Sequence, residues 1–219
     1  ITVTGAVNGI PFFSDVANNS MYTHDVSATD STAAENTAYG FLAMDAITTG
    51  DSNVAIGYSA GSAITTGIQN TLLGGLAGDA LTTGNYNTAL GYGALSAEDA
   101  HSFNVAIGGY SLYSQNAGAN AYNTAVGYNT GFAITTGIQN TIIGGLAGDA
   151  ITTGGDNVSL GYNSLSSNTI GNSNVAIGKY SMLVNVAADR NVAVGLGTLQ
   201  NMTSATTADT YNTAVGYAA

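Results

Sequence analysis

The chain has 219 residues, a length that suits one domain, with a formal net charge of −11 from two Lys plus Arg against thirteen Asp plus Glu. Nucleic-acid phosphates need clustered cations and anionic membranes need basic patches, so composition disfavours both, and neither nucleic-acid binding nor membrane insertion is expected. There is no Cys, hence no disulfide framework or thiol chemistry, and no apolar run reaches membrane-spanning length.

Residues 1–35 follow no repeat. Ile1-Thr2-Val3-Thr4 alternates like a strand, Asn8-Gly9 is a hairpin signal, and Ile10-Pro11-Phe12-Phe13 reads as the returning strand with Pro11 at an edge. The segment is expected to act as a cap or adaptor over the open first coil of the repetitive region. Ile1 opens no signal peptide, so the chain reads as mature, a fragment or delivered inside a virion.

From Asn36 onward a hexapeptide recurs, seen as Asn53-Val54-Ala55-Ile56-Gly57-Tyr58, Asn87-Thr88-Ala89-Leu90-Gly91-Tyr92 and Asn123-Thr124-Ala125-Val126-Gly127-Tyr128. Its first residue is Asn and its fifth is Gly in all eleven copies, at a step of 17 that lengthens to 19 before Asn123 and to 21 before Asn212. Such a period predicts stacked coils, about eleven of them, in an all-β parallel β-roll (β-solenoid) over 36–219. At the strand spacing of about 4.8 Å the rod would be roughly 50 Å long.

Strand geometry puts the second, fourth and sixth residues (Thr or Val; usually Ile, Leu or Val; most often Tyr) on one face, and Asn, mostly Ala, and Gly on the other. A strand apolar on both faces is normally buried on both, and a thin coil buries only its inner face. The outer face therefore needs a cover, most simply another copy of the chain. The small side would permit close approach of a neighbouring backbone. Asn53, Asn70, Asn87, Asn104, Asn123, Asn140, Asn157, Asn174 and Asn191 are expected to form a hydrogen-bonded ladder between coils. The second half-coil, Ala46-Ile47-Thr48-Thr49-Gly50 and its repeats, reads as a second short strand ending in a positive-φ turn at Gly.

Three places break the pattern. Ser96–Phe103 loses Thr-Thr-Gly, Tyr113–Tyr122 gains two residues, and Gln200–Tyr211 gains four. Insertions in repeats map to loops, so these are the candidate bumps for recognition.

Asn87 to Leu95, with Thr82-Thr83-Gly84 before it, resembles the repeats of phage tail fibres. The Asn-x-Val-Ala-Ile-Gly core also resembles the β-roll heads of trimeric autotransporter adhesins. The resemblance covers about 36–219. It implies a left-handed roll, three chains side by side as a homotrimer, further fibre segments at both ends, an extracellular, cell-surface or virion location, and attachment to a glycan or protein receptor. On this reading the chain continues beyond Ala219.

Candidate chemistry is sparse. Tyr58, Tyr92, Tyr128 and Tyr162 share the sixth position and, in register, would form an aromatic stripe able to stack on sugar rings; Tyr113 and Tyr122 flank an insertion. These six are the candidate binding residues. Glu98, Asp99 and His101 have a spacing suited to a divalent ion but read as a solvated loop; no metal or cofactor is expected. Asp45, Asp79 and Asp149 read as surface turn residues, and Gly74-Gly75-Leu76-Ala77-Gly78 as a coil loop with no phosphate-cradling helix. No Ser-His-Asp set is credible with only His24 and His101, so no enzyme is expected. Three function classes remain: an attachment fibre or filament subunit, an ice-binding Thr face, and a polysaccharide-cleaving spike with carboxylates paired across chains.

Overall fold

The computed structural model describes residues 2–7, 10–15, 20–23, 32–202 and 208–219; among them there is no helix. The chain opens with β1 (Thr2–Val7), β2 (Ile10–Asp15) and β3 (Ser20–Tyr22). Then come eleven three-residue strands, one per coil. They are β4 (Thr37–Tyr39), β5 (Val54–Ile56), β6 (Thr71–Leu73), β7 (Thr88–Leu90), β8 (Val105–Ile107), β9 (Thr124–Val126), β10 (Thr141–Ile143), β11 (Val158–Leu160), β12 (Val175–Ile177), β14 (Val192–Val194) and β16 (Thr213–Val215). The short β13 (Ala188–Asp189) and β15 (Ala208–Asp209) pair as a separate two-stranded sheet.

The eleven repeat strands stack in chain order, parallel and in the register of the repeat: Val54 lies beside Thr71, Thr71 beside Thr88. The lengthened steps do not disturb it, since Val105 still meets Thr124 and Val192 meets Thr213. The fold is a parallel β-solenoid. At its start β1 and β2 pair antiparallel with Val7 opposite Ile10, around Asn8 and Gly9, which lie outside the described residues. β3 pairs antiparallel with β2 and parallel with β4, at the rim of the first coil. Pro11 is not on an edge strand, because β2 lies between β1 and β3. It sits opposite Ala6, short of the Phe13–Tyr22 pair where the β3 ladder begins, so its missing N–H breaks no bond to β3.

The hexapeptide's small face points inward. Ala55, Ala89, Ala106 and Ala125 are fully buried, whereas Ile56 and Leu90 on the other face are exposed. Counting from the Asn, the interior of a coil is filled mainly by the third, ninth and twelfth side chains. They act as a volume-matched set: Ala55, Gly61 and Ile64 in one coil, Ala106, Leu112 and Gln115 in another. A Cβ on Gly61 would sit 2.7 Å from Leu72 Cδ1 and 2.8 Å from Ile64 Cδ1, so the missing side chain makes room for its neighbours. The apolar stack within the rod includes Ile47, Ile64 and Leu81 at the twelfth position, joined by Leu72 and Ile142 at the third where the ninth residue is Gly78 or Gly148.

The half-coil with Thr-Thr-Gly is not a strand. The carbonyl of Thr65 accepts three successive N–H groups of the preceding coil, from Thr48 (3.0 Å), Thr49 (3.1 Å) and Gly50 (3.1 Å), and the Thr48 hydroxyl as well (2.9 Å). A ladder alternates donors and acceptors along each edge; here the chain curls around one oxygen. Gly84, equivalent to Gly50, is needed for space and not for positive φ: a Cβ there would lie 2.4 Å from the His101 carbonyl oxygen. The Thr hydroxyl is a measurable part of this joint. Thr152→Val keeps the β-branched shape and removes the 3.0 Å bond from Thr152 Oγ1 to the Thr169 carbonyl. It is expected to cost about 0.5–1.5 kcal/mol in urea unfolding.

Candidate functional site

The predicted ladder residues lie inside the rod. Asn70 is typical: its N–H and Nδ2 both donate to Asn53 Oδ1 at 3.0 Å, and its Oδ1 accepts the N–H of Asn87 at 2.9 Å. Its Nδ2 also closes its own coil on the Gly84 carbonyl at 2.8 Å. The backbone N–H of Asn53, Asn104, Asn123, Asn140, Asn157, Asn174 and Asn191 likewise donates to the Asn Oδ1 one coil earlier. All nine are buried and inaccessible to a ligand. One joint is incomplete: Asn104 Nδ2 is buried without a hydrogen-bond partner, in the coil that carries the two-residue insertion.

Tyr58, Tyr92, Tyr128 and Tyr162 are all about half exposed, but they do not form the expected stacked stripe. The sixth position alternates Tyr with Gly75, Gly109 and Gly145. In-register rings are thus two coils apart, roughly 10 Å, beyond stacking distance. The rings of Tyr92, Tyr128 and Tyr162 each lean over the glycine of the coil before: a Cβ on Gly75 would lie 3.3 Å from Tyr92 Cδ2. Only Phe41 and Tyr58 sit on adjacent coils and stack, at 6.3 Å and 15°.

A continuous aromatic ladder exists elsewhere. Tyr86, Phe103 and Tyr122, each just before an Asn, stack with ring centroids 5.3 Å and 4.9 Å apart and ring planes nearly parallel, at 4° and 2°. The sequence carries a signal for it, since these three recur at the same steps as the Asn they precede. Tyr113 stacks on Phe132 at 5.2 Å. Tyr110 then meets Tyr92 (5.5 Å), Tyr113 (5.6 Å) and Tyr128 (6.3 Å) edge to face. Tyr92, Tyr113 and Tyr128 are thereby joined through a residue outside the six candidates, while Tyr122 belongs to the other ladder. Tyr58 stands outside both groups. Tyr162 packs on Tyr180 (6.0 Å), with Lys179 Nζ 4.7 Å from the Tyr180 centroid. The other cation, Arg190, pairs with Asp209, whose charge, together with Tyr211, holds the guanidinium pKa above its ordinary value.

Of the three breaks, Ser96–Phe103 makes no bump. Thr82 N–H still donates to the Asp99 carbonyl and Phe103 N–H to Asn85. The insertion after Tyr113 does protrude, with Asn116 and 118–120 exposed. Residues 203–207 of the third, and His24, lie outside the described residues.

The largest departure from expectation is Glu98, which is fully buried and not part of a solvated loop. It occupies the twelfth position, where Ile47, Ile64 and Leu81 point inward, so the register of the coil carries it into the core. Asp79 and Asp149 behave as surface residues, each accepting a Ser hydroxyl from the next coil, Ser96 at 2.5 Å and Ser166 at 2.6 Å.

No family model matches the chain, nor does any curated protein or solved structure. Among the described residues no helix is long and apolar enough to cross a membrane.

Proposed function

We propose that the chain is the stiff, adhesive segment of an extracellular or virion fibre. On this reading three copies pack their outward strand faces together, and the exposed tyrosines or inserted loops meet a cell surface. The single observation that carries it is the outward face of the solenoid. Ile56, Leu90, Ile143 and Leu160 repeat up the rod as an exposed aliphatic rank beside Val or Thr. Apolar patches of that extent on soluble proteins mark interfaces. A second copy is the fitting occupant, since a straight rod of identical spacing offers the same rank in the same register. Attachment by such a fibre would be multivalent, weak per site and strong in sum. The repeat resemblance points the same way, and no hydrolytic role is proposed.

Sedimentation with electron microscopy of the same sample tests the reading. The expected result is a rod of three times the chain mass of 21.8 kDa. Leu90→Glu with Leu160→Glu, both on the exposed rank, is expected to give monomers with an unchanged β-type circular dichroism spectrum. A folded wild-type monomer at micromolar concentration would sink the proposal. Open-ended filaments would instead favour a self-assembling filament subunit, with 1–35 and 212–219 as its joints.

Ice binding is the weaker alternative. One of the two Thr ranks donates its hydroxyls to the next coil, as Thr65 does to Thr82 (3.3 Å) and Thr135 to Thr152 (3.2 Å). The other, exposed at Thr49, Thr66 and Thr83, is interrupted by Ala100 and Ala117.

A further inference from the structure

Glu98 is a carboxylate at a position that other coils fill with Ile or Leu, and it is 0 % exposed. Two of the three other polar residues at this position, Asn168 and Asn185, show what the site asks for. Asn168 accepts the N–H of Gly171 (2.9 Å) and donates to the Gly171 carbonyl (3.0 Å). Asn185 does the same with Ala188, at 3.0 Å and 3.2 Å. Glu98 reproduces only the accepting half. Its Oε1 takes the N–H of His101 at 3.0 Å and lies 2.8 Å from His101 Nδ1. A carboxylate has no proton to donate where Asn has its amide, and Oε2 is buried without a partner. A buried carboxylate half-satisfied in this way is costly unless a positive charge reaches it.

The residues around it are suited to bring one. Glu98, Asp99 and His101 each place a ligand atom within 4.8 Å of the others. That is the widest span expected between two ligands on opposite sides of an ion bound at about 2.0–2.4 Å. The Asp99 carboxylate lies 4.0 Å from His101 Nδ1. We propose that Glu98, Asp99 and His101 bind a divalent transition-metal cation, Zn²⁺ by preference. The ion takes the place of the proton between His101 Nδ1 and Glu98. Because both oxygens belong to one carboxylate, an ion ligated by Oε1 also meets the charge on Oε2. Two carboxylates and a neutral imidazole balance its charge, and the imidazole selects against Ca²⁺ and Mg²⁺. Asp99 and His101 are 52 % and 21 % exposed, so the ion enters from solvent and keeps water in its remaining positions. Its role is structural. It pins the coil that has lost Thr-Thr-Gly, immediately before the insertion, where Asn104 Nδ2 also lacks a partner.

The test is calorimetric titration of the chelator-stripped full chain with zinc sulfate, with Tm measured in parallel. One equivalent per chain is expected, with a Tm rise that magnesium does not produce. Asp99→Asn and His101→Ala alter the solvent side of the site and leave the core intact. Each is expected to weaken zinc at least tenfold and abolish the Tm rise, whereas His24→Ala keeps both. Glu98→Gln, which places at this position the residue type that Gln115 supplies one coil later, is expected to lose zinc and to be at least as stable as the stripped wild type. No zinc-dependent Tm rise in the wild type would overturn the proposal. So would a rise that survives Asp99→Asn and His101→Ala, or several equivalents bound indifferently by all variants.

Discussion

Gly91→Ala is expected to lower the stability of the rod by more than about 3 kcal/mol, against a control, Gly118→Ala, that changes it by less than about 0.5 kcal/mol. Gly91 directly follows β7 with φ +141°, a conformation L-residues rarely adopt. Its Cβ would lie 2.5 Å from both the carbonyl carbon and oxygen of Gly108 and 2.8 Å from Gly109 N. These are backbone atoms of the next coil and cannot rotate away. Relief requires β7 and β8 to separate, which breaks the inter-coil bonds on either side. At Gly118, in the insertion, a Cβ meets nothing within 4 Å. Urea titration followed by far-ultraviolet circular dichroism measures both. Solenoids unfold in segments, so the transition midpoint is the quantity to compare. Equal midpoints for the two variants would show that the coils tolerate a side chain at their closest approach.

Asn70→Asp is the second large effect, with an expected loss of about 3–5 kcal/mol at pH 7. The substitution is nearly isosteric and keeps the acceptor for the Asn87 N–H. It replaces an amide that donates to both Asn53 Oδ1 and the Gly84 carbonyl with an oxygen facing the same two acceptors. The new carboxyl recovers one bond only when protonated, so its folded pKa rises above the unfolded value of about 3.9. A raised folded pKa means stability that is present below the unfolded pKa and lost as pH rises through the folded one. The deficit relative to the wild type is therefore expected to be smaller at pH 4 than at pH 7, measured by the same urea titration. A deficit independent of pH would mean that the ladder opens to water around the new charge.

The legible part of the chain rests on repetition. Every coil is joined to the one before it at the Asn and passes its neighbour at the following Gly, so Asn53, Asn70 and Asn87 and the glycines four residues later announce the stack, its period and its parallel register. The Thr-Thr-Gly half-coil is not legible in the same way. Thr48-Thr49-Gly50 has strand-like composition, but three of its N–H groups converge on one carbonyl of the next coil, a geometry that no local preference encodes. Alignment by Asn suggests a tyrosine stripe because it marks Tyr92 and Tyr128 as equivalent while hiding that Gly109 lies between them. The Tyr86, Phe103 and Tyr122 ladder obeys the same steps, yet it escapes a reading anchored on the hexapeptide because its rings precede the Asn. Glu98 reads as a loop residue because a charge in a broken repeat is usually solvated. Its place in the count of the coil, equivalent to Ile64, is the better guide.

By itself the sequence determined that the chain is an all-β stack of about eleven 17-residue coils, because satisfying the same backbone groups in every coil demands the same residues at the same step. Only the tertiary structure decided which face of each three-residue strand turns inward. Both faces are apolar enough for a core, and the choice lies with distant partners. The ninth and twelfth side chains, such as Leu95 with Glu98 or Gly61 with Ile64, already fill the narrow interior and leave room for Ala at the third. The Ile, Leu and Val at the second and fourth positions are thereby set on the surface, where the proposed association of chains would have to cover them.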